Sequence, residues 1–348
     1  MAKKKVQGPN QPSNIHDVAA RAGVAISSIS RVLSGHPDVS ESMRLKVEKA
    51  AAELGYEPDF LAQSLRRGAT KTVGFIIRDI SNPFFGVIAQ YCEKELRKFG
   101  YSMFLMISDE DIQTEADNIN QLRRRRVDGL IASLVSEDAP NLKESLEKLK
   151  CPVVLLDREL PGFSGSAVIG NHHLGVQEAV TDLIKRGHTR IAFISGSTKV
   201  FTTRDRLKGF KAAFKAAGLP VPTDLMALNK FDADYGQWET LRMFSLKSPP
   251  TALITGSVGS TSGALRALKS LKLTPGKQIA LVAIDEWPMF DVYGGELSSV
   301  YRNPEVIGRE AAKVLLETLA GGKPRKVVVD TKYIARGTSS GGLAKKRG

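Results

Sequence analysis

Apolar residues recur at helical spacing three times near the start of the chain. The three stripes are Ile15/Val18/Ala19/Ala22, Ala25/Ile29/Val32/Leu33 and Val47/Ala50/Ala51/Leu54. Asn14 is placed to cap the first helix and Gly23 to end it, while Ser40 is placed to cap the third. Because helices this short do not fold alone, the stripes predict one small shared core.

From residue 73 onward, short apolar runs alternate with amphipathic helical patterns. The runs cover residues 73–77, 101–107, 127–132, 153–156, 191–194, 252–254 and 279–284. This alternation predicts parallel sheets with helices on both faces. The pattern is too long for one typical sheet unit, so we expect two lobes. A cleft between them would lie near the carboxyl ends of the strands.

Composition and charge narrow the class of protein. The chain has 348 residues, of which 42% are hydrophobic and 25% charged, as is typical of a globular protein with several folded units. Its net charge of +13 favours a polyanionic partner, although charge alone is weak evidence for nucleic acid. Cys92 and Cys151 both lie within apolar patterns and are interpreted as packed thiols.

The expected localisation follows from the absence of a secretory-signal pattern and of a membrane-spanning pattern in the sequence. The first residues carry no apolar core of the length that a secretory signal needs, and no apolar run approaches membrane-spanning length. We therefore expect a protein of the reducing cytoplasm.

Two helices separated by a turn at Gly23 predict a helix-turn-helix, which lays its second helix in the major groove of DNA. The candidate DNA contacts on the outer face of that helix are Ile26, Ser27, Ser28, Ser30 and Arg31. Hydroxyl and guanidinium groups suit phosphate oxygens and base edges, and Arg31 is the candidate for reading a guanine. From the helices alone, a solvated face on a small bundle is an equally good interpretation.

Eight ordered motifs carry a resemblance to a known family. They are NIHDVAARAGVAISSISRVLSG at 14–35, LGYEP at 54–58, LAQSLR at 61–66, TVGFII at 72–77, NPFF at 82–85, RVDGLI at 126–131, DR at 157–158 and RGH at 186–188. The chain resembles the lactose/galactose repressor family of bacterial transcription regulators over nearly its whole length. The resemblance implies a small all-α helix-turn-helix head. It also implies an α/β two-lobed domain like that of periplasmic binding proteins, with two parallel sheets flanked by helices.

The resemblance also implies a hinge. In the family, the segment matching residues 59–66 is a helix that forms on operator DNA. It implies that Leu65 enters a central minor-groove step, that Ala62 shares this kinked site, and that Arg66 contacts the DNA. The same segment could be a mobile linker away from DNA, because short isolated helices are marginal in water. Gln63 stands where many members carry arginine.

An effector is expected between the lobes. The positions that the resemblance assigns to it are Phe84, Phe85, Asp157, Thr202, Arg206, Phe231 and Asp285. The two adjacent phenylalanines could stack on a sugar or base ring, or could pack the helix that follows. Arg206 carries a planar fork that suits hydroxyls or a carboxylate, with Arg204 as a rival. Asp285 is expected to accept hydrogen bonds from ligand hydroxyls or amines.

One position departs from the family pattern at the expected cleft. Val258 stands where many relatives carry aspartate, so one polar contact to a ligand is missing. This change should alter which ligand fits, or could mean that none is bound.

Enzymatic and metal chemistry are not indicated. The chain has no GxSxG, GxGxxG or Walker motif, so we expect neither catalytic residues nor a cofactor. His172 and His173 point to different sides of a helix and lack further ligands at suitable spacing, so we expect no metal. The arginine run at 123–126 is interpreted as a solvated helix end.

The expected domains follow in order along the chain. They are a basic arm at 1–13, the helix-turn-helix domain at 14–58, a hinge at 59–70, an effector-binding and dimerisation domain at 71–340, and a basic tail at 341–348. The N-lobe is expected at about 71–169 and 302–330, and the C-lobe at about 170–301 and 331–340.

The expected function is that of a transcriptional regulator, a repressor by resemblance. Its homodimer would bind pseudo-palindromic double-stranded operator DNA at the nucleoid, under the control of a small carbohydrate effector. Two alternatives stay open: a cytoplasmic regulator of the same fold without an effector, and a solute-binding receptor.

Overall fold

The computed structural model describes residues 13–33, 36–57, 68–287, 289 and 297–341. The chain separates into two compact units, which divide between Thr70 and Lys71. Within the described ranges, no helix combines the length and the apolar composition needed to cross a bilayer.

The described residues of the first unit form three helices: α1 (Ile15–Ala22), α2 (Ile26–Leu33) and α3 (Glu41–Glu53). Asn14 caps α1 by accepting hydrogen bonds from the His16 and Asp17 amides, and Asp17 accepts one from the Asn14 amide in return. Gly23 ends α1 in the left-handed conformation, with φ of 66°. Ser40 caps α3 by accepting from the Met43 amide. These three sequence predictions are confirmed.

The core of the first unit follows the predicted stripes with one exception. Its buried residues are Val18, Ala19, Ile29, Val32, Val47, Ala50 and Ala51. Ala25 was predicted to belong to the second stripe, but it is exposed. It precedes α2, so its side chain does not follow the helical spacing, and Val24 packs against the core instead.

The second unit alternates strands and helices. In chain order, its elements are β1 (Thr72–Ile77), α4 (Pro83–Arg97), β2 (Ser102–Ile107), α5 (Ile112–Arg124), β3 (Gly129–Ala132), α6 (Leu142–Glu147), β4 (Val153–Leu156), β5 (Ser166–Gly170), α7 (His172–Lys185), β6 (Ile191–Gly196), α8 (Phe201–Ala216), β7 (Met226–Asn229), α9 (Ala233–Phe244), β8 (Ala252–Thr255), α10 (Val258–Ser270), β9 (Ala280–Ile284), β10 (Ser298–Arg302), α11 (Pro304–Leu319), β11 (Lys326–Val329) and β12 (Thr331–Ile334).

These strands form two sheets, one in each lobe. The N-lobe sheet has the order β11-β5-β4-β3-β1-β2, and all of its neighbours are parallel. The C-lobe sheet has the order β12-β10-β9-β8-β6-β7. Its pairs are parallel as predicted, except that the edge strand β12 runs antiparallel to β10. A residue pattern does not encode strand direction, which depends on the route of the chain.

The central strands are buried on both faces, which explains why they are visible in the sequence. All residues of β1, β3, β4, β6, β8 and β9 are buried. By contrast, the sequence pattern missed β5, β7, β10, β11 and β12. Three of these, β7, β11 and β12, are sheet edges with partly exposed residues, so burial does not mark them as it marks the central strands.

The described chain crosses between the lobes at three short connections. Asn171 joins β5 to α7, Asn303 joins β10 to α11, and Asp330 joins β11 to β12. Helix α11 packs in the N-lobe against α4, where a Cβ on Gly308 would lie 2.5 Å from the Ile88 carbonyl oxygen. Both sheets therefore meet along one line of crossovers, with the carboxyl ends of their strands facing a common cleft.

A buried carboxyl in the N-lobe makes stability depend on pH. One oxygen of Glu115 on α5 accepts a hydrogen bond of 2.7 Å from the Val135 amide. The other oxygen has no hydrogen-bond partner among the described residues. Burial raises the pKa of Glu115 to about 7. The folded protein thus holds this proton more tightly than the unfolded chain, which favours folding below about pH 4.5 and is lost as pH rises through about 7.

We expect Glu115→Gln to remove this pH dependence. Relative to the variant, the parent protein should lose on the order of 3 kcal/mol of unfolding free energy between pH 4.5 and pH 8. Denaturant unfolding at several pH values measures the difference. Asp117→Asn, an exposed change on the same helix, is the control. Parallel pH profiles for parent and Glu115→Gln would contradict the assignment.

Candidate DNA-binding face and effector cleft

The predicted DNA contacts lie on the outer face of α2. Ile26, Ser27 and Arg31 are exposed, while Ser28 and Ser30 are partly buried beside the small core. Ile26 is 40% exposed, which is unusual for a large apolar residue at the start of a helix that otherwise packs well. This face combines apolar, hydroxyl and cationic groups, the set that contacts base edges and phosphates. The predicted hinge contacts Ala62, Leu65 and Arg66 lie outside the described residues.

The seven predicted effector positions surround one cavity between the two lobes. They are Phe84, Phe85, Asp157, Thr202, Arg206, Phe231 and Asp285. The structure adds seven lining residues that the sequence reasoning did not name: Arg78, Asn82, Ser133, Arg158, Gly256, Ser257 and Arg302. Most of the fourteen follow the carboxyl end of a strand or begin a helix, as expected for the cleft of an α/β protein.

Arg302, at the end of β10, joins carboxylates from both lobes. Its Nε and Nη2 donate to the two oxygens of Asp285 at 2.7 and 2.6 Å. Its Nη1 donates to Asp157, which follows β4 in the N-lobe. The guanidinium also lies 3.9 Å from the centre of the Phe84 ring. Arg302 therefore links Asp285 of the C-lobe to Asp157 of the N-lobe across the cleft.

Both carboxylates are held in place by further contacts. One oxygen of Asp157 accepts from the Gly170 amide at 2.7 Å and lies 3.0 Å from Nε2 of His172. Burial alone would raise the pKa of Asp157, but its contacts with His172 and Arg302 hold that pKa well below its usual range. Asp285 was predicted to bind the ligand directly. In this structure its two oxygens are occupied by Arg302.

The two adjacent phenylalanines both face the cavity and both belong to the N-lobe core. Phe84 and Phe85 are 6% and 7% exposed, with their rings edge to face at 5.9 Å. Packing in the core is thus observed for both rings, while stacking on a ligand stays a prediction. Phe231, from the C-lobe, lies 5.1 Å from the guanidinium carbon of Arg78 in the N-lobe.

Arg206 and its rival Arg204 have different environments. Arg206 is 2% exposed, lines the cavity and donates from Nη1 to the Gly256 carbonyl oxygen at 2.7 Å. Arg204 is half-exposed and pairs with Glu137 of the N-lobe at 2.5 Å. The structure thus places Arg206 in the cleft, and Arg204 at its rim as a contact between lobes.

Two other sequence features lie near the cleft without lining it. Val258 begins α10 and is buried in the C-lobe core. His172 and His173 contact Asp157 and Asp205, respectively. Within the described ranges, no cluster of three or more potential metal ligands is present.

The missed lining residues share one sequence signal. Arg78 directly follows β1, Arg158 follows β4 by one residue, and Arg302 ends β10. An arginine directly after a buried strand is a charged group at the ligand-binding edge of an α/β sheet. A search of strand ends for charge could have found these residues.

The cleft is nearly closed. Its cavity measures about 30 Å³. Since one water needs at least about 10–15 Å³, it holds no more than a few water molecules. A sugar-sized ligand therefore requires the lobes to separate or the arginines to move.

Comparison with known proteins matches two family models and a characterised repressor to this chain. The family model described as "Bacterial regulatory proteins, lacI family" matches residues 14–59. The model described as "Periplasmic binding proteins and sugar binding domain of LacI family" matches residues 70–337. The ribose operon repressor of Escherichia coli K12 is 30% identical over 307 residues, which cover 88% of this chain and 93% of that protein.

Solved structures agree with the fold. A Lac repressor dimer bound to operator and the anti-inducer ONPF superposes with a TM-score of 0.82 at 24% identity, covering 96% of this chain and 100% of that one. A LacI family transcriptional regulator from Enterococcus faecium with bound ribose gives 0.69 at 23% identity, covering 78% and 100%. With one family model matching most of its length, the chain belongs to the lacI family of bacterial regulatory proteins, as a DNA-binding transcriptional regulator and not an enzyme.

Proposed function

We propose that the protein is a cytoplasmic repressor acting at the nucleoid, whose homodimer binds a pseudo-palindromic operator. A sugar or sugar derivative between the lobes would change its operator affinity. The observation that carries the effector half is the convergence of Arg206, Asp285 and the phenylalanine rings on one interlobe cavity. Binding that favours one lobe arrangement must shift the equilibrium between arrangements, and so alter DNA affinity by thermodynamic coupling.

The exposed face of α2 supports direct reading of DNA. Each subunit would place Arg31 and the α2 serines in one half-site, in agreement with the compact first unit and its capped α1. We assign Ala62, Leu65 and Arg66 to the centre of the operator on the sequence resemblance alone.

An apolar surface supports the dimer. Strand β2 is an edge of the N-lobe sheet, and Phe104, Leu105 and Ile107 on it are about two-fifths exposed, as is Ile112 at the start of α5. Large exposed apolar side chains on a sheet edge are costly in a monomer and are typical of protein interfaces.

Arg31→Ala tests the reading face. Loss of one base or phosphate contact per half-site should weaken operator binding at least about 10-fold, since such contacts contribute about 1–3 kcal/mol each. Fluorescence anisotropy with an operator selected from genomic fragments gives the affinity. Arg186→Ala, which removes the same charge from the C-lobe surface, is the control and should stay within about twofold. If both variants lost operator affinity equally, Arg31 would contribute only its positive charge and no specific contact.

Leu65→Ala tests the hinge. Without a side chain to enter the central step, the operator should bend less and bind more weakly, because unstacking is tied to the added contacts of bent DNA. Energy transfer between dyes at the two operator ends reports bending. Ser64→Ala in the same segment is the control. Parent-like bending in Leu65→Ala would refute the wedge.

Phe104→Asp tests the dimer surface. Replacing the apolar ring with a hydrated carboxylate removes its apolar contact at the interface and should shift the sedimentation mass from twice 37.8 kDa to 37.8 kDa. Leu271→Asp, at a similarly exposed apolar position in the C-lobe, should leave the dimer intact. A dimeric Phe104→Asp protein would place the interface elsewhere.

A further inference from the structure

The cleft contains more positive than negative charge. Among the described residues, four arginines line it against two aspartates, which leaves these lining residues a formal charge of +2. Both aspartates are engaged by Arg302. Arg78 pairs with Glu110 at 2.6 Å. The carboxylates at the cleft are therefore committed to two of the four arginines.

The other two arginines are buried without an ion pair. Arg158 and Arg206 are 1% and 2% exposed. Arg158 donates to the carbonyl oxygens of Leu134 and Asp157 at 2.6 and 2.7 Å. Arg206 donates to that of Gly256. No carboxylate in the described part of the chain lies within ion-pair distance of either guanidinium.

Several buried donors at the cleft have no acceptor. In the described residues, Nη2 of Arg158, Nε of Arg206, Nε of Arg78 and the hydroxyl of Ser133 make no hydrogen bond. All four residues line the cavity and are more than nine-tenths buried. A native protein seldom leaves so many buried donors unsatisfied in one place, because each costs folding free energy.

The guanidinium groups stay charged despite burial. Burial and the positive charge of Arg78 lower the pKa of Arg158 to about 9. Burial and Arg302 lower the pKa of Arg206 to about 10. Both groups are therefore cationic at neutral pH. The carboxylates that act on them from a distance, Glu137, Asp157 and Glu110 for Arg158 and Asp285 and Asp157 for Arg206, do not offset the effect of burial.

The backbone of three helices adds partial positive charge at the same cavity. The first residues of α4, α8 and α10 border the cavity through Phe84, Thr202 and Ser257, and these helices have 15, 16 and 13 residues. The amino-terminal end of a helix carries partial positive charge. No helix carboxyl end contributes a residue to the lining described above.

We propose that the effector is anionic: a monosaccharide bearing a carboxylate or phosphate group, which accepts hydrogen bonds from Arg158 and Arg206. This inference rests on the proposed function, in which the cleft takes a sugar derivative. The planar fork of arginine binds both oxyanions in the same way, and Ser133 supplies a further donor. The phenylalanine rings offer apolar faces for the sugar ring.

An anion at this place would join the two lobes. Arg158 follows a strand of the N-lobe, whereas Arg206 lies on α8 of the C-lobe. One anionic group can contact both guanidinium groups only when the lobes close on the ligand. Closure is thus favoured by the charged group itself, and a neutral sugar cannot provide this part of the stabilisation.

Matched ligand pairs on the full-length protein test the proposal. Thermal unfolding is followed with D-glucose against D-glucuronate and glucose 6-phosphate, and with D-ribose against ribose 5-phosphate. Inorganic phosphate and sulfate at equal ionic strength are the ion controls. We expect a charged member to raise Tm by roughly 5 °C at 100 times its Kd, and its neutral partner to leave Tm unchanged. The carboxylate and phosphate arms separate the two anion classes.

Variants then locate the charged group. Arg158→Gln and Arg206→Gln should each raise the Kd of the charged ligand at least 10-fold and reduce the ligand-induced rise in Tm accordingly. Arg158→Lys keeps the charge and should retain part of the affinity. Arg186→Gln, on the C-lobe surface, is the matched control and should bind as the parent does. Ser133→Ala removes one donor without removing charge and is expected to fold normally, so it tests the site even if an arginine variant is unstable.

The outcomes separate the two levels of the proposal. Neutral and charged partners that bind equally would overturn the anionic inference and leave a sugar-binding regulator. Equal shifts with inorganic phosphate, retained in Arg158→Gln and Arg206→Gln, would overturn the site as a general ion effect. If no compound raised Tm while operator binding was intact, the effector half of the proposed function would be overturned as well.

Discussion

The guanidinium of Arg302 holds carboxylates that come from opposite lobes, and the arrangement of the cleft depends on this contact. Three ionised groups can be buried together because Arg302 meets Asp285 with two parallel hydrogen bonds and Asp157 with a third. Removing one member of such a cluster typically costs about 3–5 kcal/mol, because the remaining charge stays buried. The cluster also stacks on Phe84, which ties it to the N-lobe core.

The backbone at these two aspartates is shaped for the contact. Asp157 and Asp285 have φ of 49° and 72°, in the left-handed region that non-glycine residues seldom occupy. Aspartate tolerates this conformation better than most residues do. Each follows a fully buried strand, so the turn directs its carboxylate into the cleft. Such conformations are concentrated at functional sites, where surrounding contacts outweigh their cost.

Among the described residues, further polar contacts join the lobes besides this cluster, including that of His172, the first residue of α7, with Asp157. Glu137 accepts from the amide of Phe201 and pairs with Arg204, and Asp138 pairs with Lys199 at 3.3 Å. The Arg204 and Lys199 side chains are exposed, so their two ion pairs can exchange protein partners for water when the lobes part. The sheets themselves have separate apolar cores and need not change. A ligand can therefore bias the lobe arrangement without refolding either lobe.

The local sequence pattern was enough to predict the helix caps at Asn14 and Ser40, because a cap involves residues close in sequence. It was also enough to predict the central strands and the two lobes, because these strands are buried along their whole length. The seven effector positions came from resemblance. Tertiary structure alone decided that β12 runs antiparallel, and that Arg78, Arg158 and Arg302 meet at one cavity. Arg302 and Asp157 are 145 residues apart. No local period relates them, since their meeting depends on which strand ends share an edge and on where the chain crosses between lobes.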